Sequence, residues 1–527
     1  MVNWYPGQTV GQLPREAARR WGAREALEFR GRRWSHAQVD REVDAHAKSL
    51  IALGVRAQEK VALWLVNGPE LFFLFYAVMK VGAVAVPLNT RYRTEELAVA
   101  LRKADCSFLF AMDRCGPVPY GAMVADALRA QEFPHLRRIV MIGDEPVSGS
   151  LAWQRFAALA TELDDAQLAA RAASVDPDAV AMIIYTSGTT AQPKGVMHSH
   201  ICVRAMQERP LAFGMTCGDV ILNYLPLFHL FGISLMMSAI LCGARQVVMD
   251  KFDGEQAMDL VDREGVTMAF GFDTHWLAML DAHRARPRRV QTLRIGQCAS
   301  GSDDAIVNAY KVQELCLTAS GYGMTECWSW NALCFPNSTA QQRCETSGIA
   351  MPGVEFRILD SETGQPMPDG ELGEIWVSSY TNMLGYYGEP DATAAVFDGR
   401  WLRTGDKGRL RTDGYLQFVG RYKDMLKVGG ENVAPAEVEA FLLTLDGVAQ
   451  VAVVGMPHSQ LHEVPVAFIV AHEPVRIDAQ SVLASCKGRM ASFKIPRIVH
   501  FVKELPMTTT GKVQKQELRQ RALAATA

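Results

Sequence analysis

Strand-like and helix-like patterns alternate along most of this chain, and that alternation restricts the fold more than any other feature. "KVALWLV" (Lys60–Val66) reads as a buried strand, "PELFFLFYAVMKVG" (Pro69–Gly82) as a helix closed by glycine, and "AVAVPLN" as the next strand. "RQVVMD", "EQAMDLVDREG" and "VTMAFGF" repeat the strand–helix–strand order, and "AVAMIIY" (Ala179–Tyr185) is a further buried-strand run. Parallel strands joined by helices follow, so the expected class is α/β. A polar and Ala-rich stretch at about Asp144–Pro177 reads as a link between two sub-parts. A second break falls in "GRYKDMLKVGGENVAP" (Gly420–Pro435), after which "EVEAFLLTL" and "VAQVAVVGM" form a short helix–strand unit of their own. The expected organisation is a large multi-subdomain N-terminal α/β domain, residues 1–422, followed by a small mobile C-terminal α+β domain, residues 423–527.

With 49% hydrophobic and 21% charged residues in 527, the chain can bury a large core. A net charge of −3 argues against a chain built to coat nucleic acid. The basic run Arg284–Arg288 has no interleaved aromatic residues and reads as solvated surface. The 11 cysteines are odd in number and scattered, with no C-x-x-C pair, as expected of reduced thiols in a cytoplasmic protein. The N-terminal "MVNWYPGQTV" lacks the basic and apolar regions of a secretory signal. The longest apolar run, Leu230–Ala244, is shorter than the ~20 residues of a spanning helix, so no membrane insertion is expected.

The densest chemical signal is "YTSGTTAQPKGV" (Tyr185–Val196). A Ser/Thr/Gly loop after a strand offers backbone N–H groups and hydroxyls to an anion, and Lys194 adds a positive charge. A helix is expected to begin after Pro193, within "GVMHSHICVRAM". The loop is not a P-loop, because Gly195 follows the lysine where that motif has Ser or Thr. An ordinary polar turn is the plainer reading.

This stretch resembles the signature of the adenylate-forming superfamily, which includes acyl- and aryl-CoA synthetases. "KVGAVAVPLN", "YLPLFHLFG", "GYGMTE", "GELGEIWV", "WLRTGD", "GRYKDMLKVGGENVAPAEVE" and "TTTGKVQK" look like further family motifs, in the family's order and over nearly the whole chain. Ala191 departs from the Gly or Ser usual there. The resemblance implies an ATP-dependent carboxylic acid–CoA ligase that forms an acyl-AMP and passes the acyl group to coenzyme A. ATP, Mg²⁺ and CoA are the implied cofactors and co-substrates. It implies that Thr186, Ser187, Gly188, Thr189, Thr190 and Lys194 hold the β- and γ-phosphates, and that Ala299, Ser300 and Gly301 line the adenine. Tyr322, Gly323, Met324 and Thr325 would contact the nucleotide, with Tyr322 stacked on adenine or packed in the core. Glu326 would bind Mg²⁺, a hard cation suited to carboxylate oxygen. Asp406 would accept from the ribose hydroxyls, with Arg421 supporting the same nucleotide. Lys512, otherwise a solvated lysine, would stabilise charge at the α-phosphate. Lys423 would be the hinge, and Lys427, Gly429, Gly430 and Glu431 would face the CoA tunnel in a second domain orientation. His229 would border the acyl site, or serve as an ordinary core histidine.

The segments implied around the acid, "FHLFGISLMM", "AFGFDTHWLAML" and "GMTECWSWNAL", are apolar, with no second cation. A hydrophobic monocarboxylic acid is expected, fatty or alicyclic first and aryl as the alternative. Trp276, Trp328 and Trp330 either shape that pocket or belong to the core. A free-standing adenylation enzyme serving a carrier protein or an amine is the other reading. The partners are then small molecules, not nucleic acid, with a homodimer admitted as the assembly.

Overall fold

The computed structural model describes residues 8–145, 147–186, 193–299, 303–422, 425–428, 431–433, 435–458, 461–472, 477–487, 489–490, 492–508 and 512–526. Two sheets built largely of parallel strands dominate the N-terminal part. One runs in the order Gly385–Tyr386, Lys194–Ser199, Val180–Thr186, Val84–Pro87, Lys60–Trp64, Cys106–Met112, Arg138–Ile142, Leu151–Ala152. The other runs Leu317–Ala319, Ile295–Ala299, Met268–Phe272, Val220–Asn223, Arg245–Val248, Glu25–Phe29, Arg32–Ser35. Helices Pro69–Lys80 and Leu230–Cys242 are apolar on nearly every face, and both are buried in one continuous core with residues of both sheets. A helix apolar all round has no face to give to water, so it ends up between layers.

An antiparallel sheet follows, with Val354–Leu359, Gly373–Ser379, Trp401–Leu410 and Phe397–Asp398 in order and Leu416–Arg421 paired to Trp401–Leu410. The last hundred residues make a separate sheet of Leu426–Val428, Glu431–Val433, Val448–His458, His462–Ala471 and Ile498–Phe501, covered by helices Pro435–Leu443, Ala479–Cys486 and Lys515–Thr526. Its apolar clusters are its own. The molecule is a mixed α/β protein with a large N-terminal and a small C-terminal domain.

One local expectation is corrected and another is narrowed. The stretch Asp144–Pro177 does not join two sub-parts, because the strands on either side of it, Arg138–Ile142 and Val180–Thr186, lie in the same sheet. Within it, Leu151–Ala152 adds to that sheet, Phe156 is fully buried, and Asp164 caps helix Asp165–Ala173 by accepting from Gln167 N. After Pro193 a strand comes first, and the expected helix begins later within "GVMHSHICVRAM". Lys194–Ser199 is a strand, antiparallel to Val180–Thr186 with Thr186 opposite Lys194, and the helix starts only at Cys202. Pairing with a buried strand outweighs local propensity here.

Candidate functional site

In open sheets of parallel strands, ligands bind beyond the carboxyl ends of the strands. Those ends in the second sheet are Asn223, Phe272, Ala299 and Ala319. The chain that leaves them carries His229, Asp273 and the segment Gly321–Thr325, so the motifs converge on one edge without being neighbours in sequence.

Gly321–Met324 is a short strand that pairs with Trp328–Leu333 through a tight turn at Thr325–Cys327. Gly323 has to be glycine: a Cβ there would lie 2.8 Å from Trp330 N and 2.9 Å from Trp328 O. The buried Tyr322 donates its hydroxyl to Asp406 Oδ2 at 2.7 Å, and its ring lies against Phe356 and Phe418. Burial, then the charge of Asp406, pushes this phenol well above its ordinary range. Asp406 sits opposite Arg421 on paired strands, with Arg421 Nε 3.1 Å from its Oδ1. Tyr322, Asp406 and Arg421, taken from three motifs, thus form one contact group.

Glu326 lies on the tight turn, and Tyr386 Oη donates to its Oε1 at 3.1 Å. Burial raises its pKa, opposed in part by hydrogen bonds and by Arg421. The ammonium of Lys194 stands 4.5 Å from the centroid of the same Tyr386 ring. Tyr386 therefore bridges the first residue after the hydroxyl-rich loop and the acidic turn. His198, on the strand that Lys194 opens, contacts Thr325 O through Nε2 at 2.7 Å. Burial lowers its pKa to about 4, so the ring is neutral and Nε2 is the donor to that carbonyl.

His229 caps helix Leu230–Cys242, its Nδ1 accepting from Phe231 N at 3.3 Å. Burial first, then the nearby charge of Lys512, lowers its pKa to about 4. Lys512 comes from the small domain, yet its ammonium is 5.0 Å from the ring centroid of Phe272, at the end of a core strand. Phe272 packs edge-on to Phe231, and Phe231 to Trp330. Of the three tryptophans, Trp276 is core: it is fully buried behind Gly296, where a Cβ would lie 2.2 Å from its ring. Trp330 is buried against Phe213, Phe231 and Phe270, and its Nε1 donates to Gln297 Oε1 at 2.6 Å.

Thr186 and Lys194 are the two ends of the hairpin, and Ala299 ends its strand. Ser187, Gly188, Thr189, Thr190, Ser300, Gly301, Lys423, Gly429 and Gly430 lie outside the described residues. Lys427 and Glu431 belong to the paired strands Leu426–Val428 and Glu431–Val433 of the small domain. The residues missed in the sequence are His198 and Tyr386; Phe272 lies in "AFGFDTHWLAML", a segment expected around the acid. Each gains its partner only through long-range packing.

Among the described residues no group of three or more His, Cys, Asp or Glu could hold a metal ion. A lone carboxylate such as Glu326 nonetheless fits Mg²⁺, which takes one or two carboxylates and fills its other positions with water and phosphate oxygen. No helix among the described residues is long and apolar enough to cross a membrane.

The AMP-binding enzyme family matches residues 14–387, and its AMP-binding enzyme C-terminal domain matches residues 437–512. The chain is 36% identical over 527 residues to the 3-[(3aS,4S,7aS)-7a-methyl-1,5-dioxo-octahydro-1H-inden-4-yl]propanoyl:CoA ligase of Rhodococcus jostii (strain RHA1), covering 98% of this chain and 99% of that one. It is 32% identical over 520 residues to a feruloyl-CoA synthase of Amycolatopsis sp, covering 98% and 99%. Among solved structures, the anthranilate CoA ligase AuaEII in complex with anthranoyl-AMP superposes with a TM-score of 0.87 at 28% identity, covering 99% of both chains. By these matches the chain belongs to the AMP-binding enzyme family, within the adenylate-forming superfamily and of its acyl-CoA synthetase type.

Proposed function

We propose that this chain activates a hydrophobic monocarboxylic acid with ATP and transfers the acyl group to coenzyme A. The observation that carries the reading is the meeting of Lys512 with Phe272 and His229 at the strand ends. In this reading the acid's carboxylate attacks the α-phosphate, the acyl–oxygen–phosphorus link forms, and pyrophosphate leaves. Lys512 offsets the charge that gathers on the α-phosphate oxygens. Asp406 accepts from the ribose hydroxyls while Tyr322 and Arg421 hold its carboxylate in place. Glu326 is the carboxylate for Mg²⁺, which would neutralise phosphate charge. The hairpin loop between Thr186 and Lys194 holds and releases pyrophosphate.

In the second half-reaction the thiol sulfur of CoA attacks the acyl carbon and AMP leaves. The small domain turns about a junction at 422/423, between a strand that ends at Arg421 in the large domain and one that begins at Leu426 in the small domain. The Lys427–Glu431 hairpin then faces the thiol's path. A cytoplasmic location and a homodimer belong to this reading.

The acid is fatty or alicyclic in the first reading, in keeping with the alicyclic propanoate of the R. jostii ligase. An aryl acid is favoured by a different observation: the cluster of aromatic rings of Phe231, Phe270 and Trp330, together with the anthranilate and feruloyl ligases among the relatives. An acid panel assayed for AMP and pyrophosphate, with and without CoA, tests the proposal. ADP and phosphate as products would overturn it. Acid-dependent pyrophosphate release without thioester formation would point to a carrier protein or an amine as acceptor.

A further inference from the structure

Arg209 is fully buried, yet it makes no ion pair with a carboxylate among the described residues. Burial lowers its pKa, and its Nε has no hydrogen-bond partner. The ring of Tyr380, 5.7 Å away, and the more distant charge of Glu208 offset the burial only in part, and where a buried charge lacks a direct ion pair an apolar side chain of similar size is often the more stable choice. Stability alone does not account for an arginine here.

Its guanidinium is aimed at the segment that follows the tight turn. Nη1 donates to the carbonyl of Ser329, and Nη2 donates to Thr381 Oγ1 at 3.0 Å and to Asn331 Oδ1 at 3.4 Å. Ser329 lies between Trp328, at φ +67°, and Trp330, at φ +57°. Bulky residues in the left-handed region are strained, and such strain persists only where the surroundings over-determine it. Here they do. The carbonyl of Thr325 is held by His198, that of Glu326 by Met383 N at 2.7 Å, and that of Cys327 by Thr381 Oγ1 at 2.9 Å and Asn331 Nδ2 at 2.8 Å. The carbonyl of Trp328 is held by Asn331 Nδ2 at 2.9 Å, and that of Ser329 by Arg209. Each carbonyl in this run is fixed from outside its own strand pairing, and Arg209 touches both of the side chains, Thr381 and Asn331, that hold its middle.

We propose that Arg209 is a positioning residue, which locks the strained Trp328–Trp330 backbone and through it sets where Glu326 stands toward magnesium-bound nucleotide. The inference rests on the function proposed above. Loss of the arginine lets Trp328 and Trp330 relax towards ordinary φ values, and the turn that carries Glu326 moves with them. Trp330 also ties this backbone to Gln297, two residues before Ala299.

The test uses the full chain with Arg209→Met, Arg209→Lys and Thr381→Val, read by calorimetric binding of MgATP, by near-ultraviolet circular dichroism of the buried indoles and by thermal unfolding. The expected result is that Arg209→Met unfolds no earlier than the unaltered chain, yet its indole signal weakens and its Kd for MgATP rises about 10- to 100-fold, the usual cost in affinity of losing a partner that positions a metal ligand. Arg209→Lys, which keeps one donor for the Ser329 carbonyl, recovers part of that loss. A folded Arg209→Met with unchanged indole signal and unchanged MgATP affinity overturns the proposal. Should Arg209→Met fail to fold, Thr381→Val decides: a weaker shift in the same direction supports the lock, and no shift overturns it. Failure of the unaltered chain to bind MgATP at all would instead overturn the proposed function, and this inference with it.

Discussion

The ammonium of Lys512 stands 5.0 Å from the ring centroid of Phe272, so a residue of the small domain reaches the carboxyl end of a core strand in the large one. A second contact, from Arg91 Nη1 to Met507 O at 3.2 Å, holds the same segment against the large domain. If Lys512 acts on the α-phosphate, Lys512→Ala should slow adenylation by about 10²–10³, the usual cost of losing one preorganised charge contact. Chemically supplied acyl-AMP should still be converted to acyl-CoA. Equal loss of both half-reactions would show that the lysine does not serve adenylation alone.

Phe272 itself should matter through its π face. A cation–π contact at a partly exposed site contributes about 0.5–1 kcal/mol. Phe272→Leu, which keeps an apolar side chain there, should therefore lower the adenylation rate by only about two- to fivefold. A loss as large as that of Lys512→Ala would mean that the ring contacts the acid and does more than orient the lysine.

Tyr386 joins Lys194 to Glu326, and Tyr386→Phe separates the two contacts: the ring face under Lys194 stays and the hydroxyl on Glu326 goes. The Glu326 pKa is raised by burial and held back in part by that hydroxyl. Its removal should raise the pKa further, so the acidic limb of the rate profile should move to higher pH. Stability carries the opposite sign to activity. A carboxyl with a raised folded pKa favours the protonated fold, so its contribution weakens as pH climbs from the unfolded pKa through the folded one. Steady-state pH profiles of both chains at saturating acid check the shift. Glu326→Gln should lose several kcal/mol of transition-state stabilisation, with the deficit largest at limiting Mg²⁺.

Several histidines are buried in the neutral form. His36, His198, His200 and His275 each have pKa values lowered to about 4, from 6.5, chiefly by burial. A histidine with a depressed folded pKa contributes stability that is complete above its unfolded value and is lost as pH falls towards the folded one. The unfolding temperature should accordingly fall between about pH 6.5 and about pH 4, with up to about 3 kcal/mol at stake per ring. His198→Gln, able to donate to Thr325 O without titrating, should flatten part of that slope. An unchanged slope would exclude His198 as a contributor.

The alternation of strands and helices was legible because burial imposes a period that composition shows directly. Glu326, Asp406 and Lys512 stood out because each sits in a dense motif. Arg209, His198 and Tyr386 did not, because nothing in their own stretches marks them; Arg209 meets Ser329 from 120 positions away and Tyr386 meets Glu326 from 60. The helix within "GVMHSHICVRAM" was legible, but the strand Lys194–Ser199 before it was not, because its pairing partner, and not its own residues, decides its conformation.

The junction between the domains is short. The strand that ends at Arg421 belongs to the large domain's antiparallel sheet, and the strand that begins at Leu426 belongs to the small domain's sheet. Any rotation of the small domain has to be absorbed by the backbone between them, which includes Lys423. Proline at that position would fix its φ near −65° and restrict Tyr422 before it. Lys423→Pro should therefore hold the small domain in the orientation seen here, with Lys512 over Phe272. Pyrophosphate release should persist near the unaltered rate, while conversion of acyl-AMP to acyl-CoA fails. Paired with Lys512→Ala, which should show the reverse pattern, the variant separates the half-reactions. A Lys423→Pro chain that folds and keeps both would place the hinge elsewhere between the two sheets.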